Sequence, residues 1–275
     1  MSREIVISSI ALSVILLIPL SIKWEIPKRI AVPASLFVGI VTGVIVSGMV
    51  AIFTVKFWQV FILQIFFIMG ISASLLLWRF FRDPERIPPE DINTILSPAD
   101  GKVIYVKKIG EGNIPYSEKK GRKFSLNDFT QSDVLPSDGY LIGIAMNFLN
   151  VHVNRAPVDG KVSLIRHIQG GFASLKKKEA VIQNERALTV IDTGDFKVGV
   201  LQIASRLVRK IVLYLSEGHI VQRGARIGMI RFGSQVDLIL PSFPSLHIEI
   251  QPGDSVKAGV SIVAKITDPN TSLTQ

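Results

Sequence analysis

Three stretches of this chain carry no charged residue: Ile5–Ile22, Ile30–Val55 and Phe57–Trp78. Nothing else constrains the fold as strongly, because a backbone in hydrocarbon must satisfy its own hydrogen bonds, which favours helices. A spanning helix needs about 20 apolar residues. The second and third stretches are long enough; the first, at 18 residues, is borderline. Buried core helices are the competing reading, and a removable leader is the competing reading of the first stretch alone. Against a leader, only Arg3 precedes the apolar run, and Lys23, Trp24 and Glu25 follow it where a small-residue cleavage site would stand. The mean hydropathy of +0.40 is therefore concentrated at one end. Residues 1–80 hold two acids and six bases, leaving 25 bases and 20 acids in 81–275. The expected organisation is a transmembrane anchor of two to three helices in residues 1–80, followed by a domain in 81–275 long enough to bury a full core.

The bases also order the topology. Lys23, Lys28 and Arg29 flank one end of the second stretch; Arg79, Arg82 and Arg86 flank the far end of the third. A hairpin turning near Lys56 puts both clusters on one side, which the positive-inside tendency makes cytoplasmic. Residues 81–275 are then expected on the cytoplasmic face of the cell membrane, with a net charge of +5 suited to anionic headgroups or to a plain solvated surface.

Two internal repeats organise residues 81–275. Ser97-Pro-Ala-Asp-Gly-Lys-Val103 recurs as Ala156-Pro-Val-Asp-Gly-Lys-Val162, each a Pro/Asp-Gly turn opening a strand. Gly218, Val221, Gly224 and Ile227 share their spacing with Gly253, Val256, Gly259 and Ile262. Repetition of turn and short strand predicts a mainly β fold, a sandwich- or barrel-like core with few helices. Leu175–Asn184 is the best helix candidate, Ile203–Leu215 fits either a strand or a helix, and Gly110–Asp138 reads as a long loop or insertion.

Common catalytic signatures are missing: no GxGxxG, GxxxxGK[ST], HExxH or GxSxG occurs. With no cysteine there are no disulfides, thiol nucleophiles or thiolate metal sites, and the four histidines form no HxH pair, so no metal site is expected. Gly233-Ser234 stands out between a glycine-rich turn and the apolar strand Val236–Leu240. Glycine leaves its carbonyl unshielded, and the next hydroxyl lies within reach of it. In isolation such a serine is an ordinary turn residue.

Taken together, five segments in order resemble the phosphatidylserine decarboxylase family, in its short, membrane-anchored bacterial form. They are Arg82-Asp-Pro-Glu-Arg86, Leu96–Val103, Asn147–Val162, Asn184-Glu-Arg186 and Gly224–Pro241. The resemblance implies a proenzyme that cuts itself between Gly233 and Ser234 and a covalent pyruvoyl group derived from Ser234 as the only cofactor. The ketone of that group condenses with the amine of the substrate's serine headgroup and takes up the electrons left by departing CO2. The implied product is phosphatidylethanolamine, and the implied partners are a phospholipid in the membrane and the two fragments, 1–233 and 234–275, held together. A homodimer stays open, and no nucleic acid is expected.

By the same resemblance Asp100 matches a family Asp that assists the serine, and His152 matches the first family His. Longer forms carry a second His where Arg155 stands here, so His152 acts alone, His167 substitutes, or strained Gly–Ser geometry suffices with Asp100. Strand alternation in Val151–Asn154 predicts His152 and Asn154 on one polar face. Arg155, Lys102 and His167 are the candidate substrate contacts, the two cations for the phosphate. Three other readings compete. A lipoyl-like binding module fits the second repeat but lacks a lysine between its halves; an ether-lipid substrate would share the headgroup; and Gln235 beside the Gly–Ser pair fits a family member that no longer processes.

Overall fold

The computed structural model describes residues 2–24, 26–110, 113–114, 124–171, 184–204, 211–231 and 234–267. The chain forms two compact units, Met1–Arg82 and Asp83–Gln275. The first contains α1 (Ser2–Lys23), α2 (Lys28–Ile52) and α3 (Phe57–Phe80). All three are long and apolar enough to cross a membrane, so the borderline first stretch is a full-length helix. Between apolar helices in lipid, association rests on close backbone approach and polar bridges. Gly39 and Gly43 provide the approach: a Cβ on Gly39 would meet Ile10 Cα at 2.6 Å, and one on Gly43 would meet Val6 Cα at 2.7 Å. Ser13 Oγ donates to the Ser35 carbonyl of α2 (2.8 Å), and Gln64 Nε2 of α3 donates to Ser8 Oγ of α1 (2.7 Å).

The second unit is mainly β. Its elements are β1 (Thr94–Leu96), β2 (Gly101–Ile109), β3 (Asn113–Ile114), β4 (Phe124–Ser125), α4 (Leu126–Thr130), β5 (Gly139–Met146), β6 (Val153–Arg155) and β7 (Gly160–Ile168). There follow β8 (Arg186–Asp192), β9 (Lys197–Ala204), β10 (Ile211–Leu213), β11 (Ile220–Val221), β12 (Arg226–Ile230), β13 (Ser234–Pro241), β14 (Leu246–Ile248), β15 (Ser255–Val256) and β16 (Ile262–Ile266). An eight-stranded sheet has the order β11-β7-β8-β9-β13-β5-β2-β15, and two three-stranded sheets have the orders β1-β16-β14 and β10-β12-β6.

That order is a palindrome, and the sequence repeats explain it. Strands β6 to β12 form one repeat, and β1, β2 and β5 with β13 to β16 form the other, so the second copy is inserted inside the first. Each DGKV turn uses its glycine in the same way. A Cβ on Gly101 would collide with the Ala145 carbonyl of the neighbouring strand, and one on Gly160 with the Asp192 carbonyl. The GxxVxxGxxI segments then pair with the two DGKV strands: Gly253 N–H donates to the Val103 carbonyl and Gly218 N–H to the Val162 carbonyl, both at 2.8 Å. Gly224 and Gly259 occupy equivalent turns at positive φ (81° and 67°), where a side chain would be strained.

One face of the large sheet packs on both small sheets through residues such as Val103, Ile144, Val200, Leu238, Ile227 and Val263. Its other face is covered by Leu126, Phe129 and Leu135 lying on Leu141, Leu188, Leu201 and Ile239. The central strands are thus buried on both faces, which is why they read as nearly continuous apolar runs. Phe129, three residues after Leu126, is the signal for the short helix within the segment expected to be an open loop. Residues 203–204 finish β9 and 211–213 form β10, while Tyr214 and Leu215 are irregular, so the described parts of Ile203–Leu215 contain strand and no helix. The helix expected at Leu175–Asn184 lies outside the described residues except for Asn184, which forms an isolated bridge with Gly171.

Candidate active site

Asp100 lies in the first Pro/Asp-Gly turn, and its side chain is only 8% exposed. Its carboxylate accepts four donors. Arg86 reaches both oxygens, Nη1 to Oδ1 at 2.5 Å and Nη2 to Oδ2 at 3.0 Å. Ala258 N–H donates to Oδ1 at 2.9 Å and Val151 N–H to Oδ2 at 3.2 Å. A carboxylate has about four lone-pair positions, so this one is saturated as an anion. The last contact ties Asp100 to the residue preceding His152.

His152 is fully buried. Its Nδ1 lies 2.9 Å from the Asn150 carbonyl, which can only accept, so Nδ1 bears the proton of the neutral ring and Nε2 the lone pair. Burial lowers its pKa from 6.5 to about 4, outweighing the Asn150 hydrogen bond and the Asp100 charge, which push upward. At neutral pH the ring is a neutral acceptor–donor held in one tautomer.

Two routes lead from His152 to Ser234, each made of a short run of chain and one backbone pairing. The His152 carbonyl accepts from Ile230 N–H at the end of β12 (3.2 Å), and Ser234 opens β13 four residues later. Four residues reach at most about 14 Å. On the other side, the β13 register sets Ser234 between Ala204 of β9 and Met146 of β5. From Met146 a tight turn leads back to His152: Asn147 N–H donates to Asn150 Oδ1 (2.7 Å) and Leu149 N–H to Asn147 Oδ1 (2.9 Å). Gly233 lies outside the described residues. Its neighbour Ser234 begins the strand where the inserted repeat ends and the outer repeat resumes.

The structure brings Asp100 and His152 together and places the other candidates elsewhere. Arg155 is buried, with Nη1 on the Gly224 carbonyl (2.8 Å) and Nη2 on Asp83 Oδ1 (3.1 Å) and the Pro84 carbonyl (2.9 Å). Its terminal nitrogens are thus bound within the fold. Lys102 is exposed on β2, two residues beyond Asp100. His167 is 46% exposed on β7 and bonds Glu185 Oε1 at 2.9 Å. The register runs from His167 through Ala187 and Gln202 to Val236 of β13, three strands away, or about 14 Å. His167 therefore does not stand in for a second histidine at Asp100. Residues 151–156 are all buried, so neither His152 nor Asn154 meets solvent. Asn154 instead accepts from Gln202 Nε2 (2.8 Å) inside the sandwich.

Sequence reasoning missed two features. The Arg82–Arg86 segment served only as a likeness, yet Arg86 binds Asp100 while Asp83 binds Arg155 and Arg226. Its alternation of charges around a proline was the available signal. Gln235, read as a departure, is built into a buried cluster in which its Nε2 donates to Asp237 Oδ1 (2.7 Å) and Tyr105 Oη (2.6 Å), while Tyr105 donates to Asp237 (2.8 Å). No group of three or more His, Asp or Glu able to hold a metal occurs among the described residues.

This arrangement, a nested β-duplication with a serine at the seam and a buried Asp–His pair linked to the same strands through the backbone, is one that a self-processing enzyme can use. The sequence model of the family described as phosphatidylserine decarboxylase matches residues 74–264, and the chain belongs to that family. It is 37% identical over 201 residues to a phosphatidylserine decarboxylase proenzyme of Desulfotalea psychrophila, covering 73% of this chain and 83% of that one. It is 41% identical over 198 residues to a protein of Methanothermobacter thermautotrophicus provisionally named an archaetidylserine decarboxylase proenzyme, covering 72% and 84%. A protein of the same provisional name from Methanocaldococcus jannaschii is 42% identical over 201 residues, covering 71% and 94%. The family is pyruvoyl-dependent and processes itself, so membership sets aside the lipoyl-like binding module.

Proposed function

We propose that this chain converts phosphatidylserine to phosphatidylethanolamine and CO2 after cutting itself between Gly233 and Ser234. The observation that carries the reading is the position of Ser234 at the seam of the two repeats, four residues after Ile230, whose N–H is bonded to the carbonyl of the buried, neutral His152. A pyruvoyl group made from the chain's own serine needs no donor set; it needs a junction whose two ends stay fixed after cleavage. The residues present fit that need. β12 pairs with β6 and β10, and β13 pairs with β5 and β9, so fragments 1–233 and 234–275 remain associated through their sheets.

In self-cleavage the Ser234 hydroxyl attacks the Gly233 carbonyl, shifting the acyl group from nitrogen to oxygen. Elimination across the Ser234 Cα–Cβ bond then releases the Gly233 carboxylate, and water replaces ammonia to leave the pyruvoyl end. Asp100 acts here as a fixed anion that holds Val151, and through it the His152 backbone, while the His152 Nε2 lone pair is suited to receive a proton. When formed, the pyruvoyl group supplies an electron sink for the carboxylate carbon's bonding pair. His152 would then pass a proton, taken up from the substrate's ammonium group as it condenses, to the carbon that has lost CO2. Burial suits that role, since a ring charged only transiently gives its proton up readily.

The three apolar helices anchor the enzyme in the membrane that holds its substrate, with residues 81–275 on the cytoplasmic face, where the basic clusters place the helix ends. The two archaeal relatives support a second reading, an ether lipid with the same serine headgroup. The test is release of labelled CO2 from carboxyl-labelled phosphatidylserine in vesicles, beside the ether-chained equivalent. Release by the wild type but not by Ser234→Ala is expected, and a Ser234→Ala protein that still releases CO2 refutes the pyruvoyl mechanism. Faster release from the ether lipid would favour the second reading.

A further inference from the structure

The duplication provides an internal control for Asp100. Asp159 occupies the same turn in the inserted repeat and makes the same backbone contact: Arg223 N–H donates to Asp159 Oδ1 at 2.9 Å, as Ala258 N–H donates to Asp100 Oδ1 at 2.9 Å. Yet the Asp159 side chain is 60% exposed. The nearest guanidinium nitrogen, Arg223 Nε, is 4.0 Å away. The twin turn therefore folds with its carboxylate in water, and Arg223, 11% exposed, meets it only at the edge of salt-bridge distance rather than as a two-pronged clamp. Asp100 differs in two ways: it is buried against Arg86, itself 9% exposed, and it accepts Val151 N–H. Burying a guanidinium and a carboxylate is a costly way to stabilise a turn that its twin forms in water, and buried ion pairs are poor evidence of a stability role.

Arg86 also donates to the Ala258 carbonyl at 2.7 Å, so the Asp100 and Ala258 contacts share one guanidinium. It belongs to a segment, Asp83–Asp91, that is bonded to both repeats. Arg155 and Arg226 hold Asp83, and Arg226 also holds Glu85. Further along, Arg223 donates to the Pro89 and Glu90 carbonyls at 2.6 and 3.0 Å. Every lone-pair position of Asp100 is spent on these contacts, which leaves no position from which it could take the serine proton directly.

We infer that Arg86 is a positioning residue for self-cleavage: by clamping Asp100 as a saturated anion, it fixes the Asp100–Val151 contact and with it the place of His152. This deepens the proposed function and rests on its assignment of Ser234 and His152. The described contacts of Arg86 are with Asp100 and the Ala258 carbonyl. Arg226, which holds the same segment from its 36%-exposed position, has no contact with Asp100 and serves as the control.

The experiment follows conversion of newly made full-length chain into its two fragments on gels, after cell-free synthesis into lipid nanodiscs. Arg86→Gln is expected to slow cleavage about 100-fold, the scale of effect that a displacement of about 1 Å produces. Arg86→Lys keeps the charge but loses the fork, and an intermediate rate is expected. Millimolar guanidinium should restore part of the rate to Arg86→Ala, an effect that a general loosening of the fold would not show. Arg226→Gln should cleave within about twofold of wild type. Wild-type cleavage in Arg86→Gln, or equal slowing by Arg226→Gln, overturns the inference. If Arg86→Gln does not fold, Arg86→Lys decides: slowed cleavage in a folded chain supports the inference, whereas a wild-type rate, or a second failure to fold, overturns it. Failure of the underlying reading looks different, since the wild type would then stay uncut or Ser234→Ala would still be cut.

Discussion

His152 makes the stability of the catalytic unit depend on pH in a way that can be calculated. Its pKa falls from 6.5 in the unfolded chain to about 4 in the fold because burial strips water from the charged ring. Between those values the unfolded chain binds a proton that the folded chain refuses, so stability rises with pH and is lost on acidification. A shift of that size, at 1.36 kcal/mol per unit, corresponds to about 3 kcal/mol. The full amount is present above pH 6.5 and has gone by about pH 4. The comparison is between Ser234→Ala, which keeps the chain in one piece, and the same chain with His152→Gln. Pulse proteolysis in urea at a series of pH values reads the folded fraction of each. The parent should lose about 3 kcal/mol more than the His152→Gln chain between pH 7 and pH 4, with the carboxylates cancelling in the difference. Equal losses would refute the placement of His152 as a buried neutral ring.

Three further outcomes are expected. Asp100→Asn should slow self-cleavage about 100-fold on the gel assay, because an amide cannot accept from four donors, while Asp159→Asn in the exposed twin turn should stay within about twofold of wild type. His167→Ala, on the exposed face of β7, should leave CO2 release within about twofold of wild type. Gly160→Val forces a side chain into the Asp192 carbonyl and should lower stability by about 1–3 kcal/mol, read as a drop in melting temperature with no change in the order of the fragments on a gel.

The helices and the β class were legible because each rests on a local rule. Uncharged runs such as Phe57–Trp78 permit little but a membrane helix, and a duplicated DGKV turn makes duplicated strands. The nesting of one repeat within the other was not legible, since it depends on β13 pairing with β5 across the whole insertion. At the site, Asp100, His152 and Ser234 were proposed only through family likeness, since a lone Gly–Ser pair reads as a turn. The partners that define them were not found, because Arg86 and Ala258 reach Asp100 from 14 residues before it and 158 after it. Arg155 shows the same limit: a guanidinium suited to binding phosphate oxygens bidentately is held here by Asp83 and two carbonyls, and no local pattern announces those partners.

The central claim is that this chain cuts itself at the seam of its repeats. Intact-mass measurement of the detergent-purified protein tests it most directly. Two fragments that meet between Gly233 and Ser234, the smaller one blocked to Edman degradation and carrying the mass of a pyruvoyl end, are the predicted result. A single chain of 30.3 kDa would contradict it.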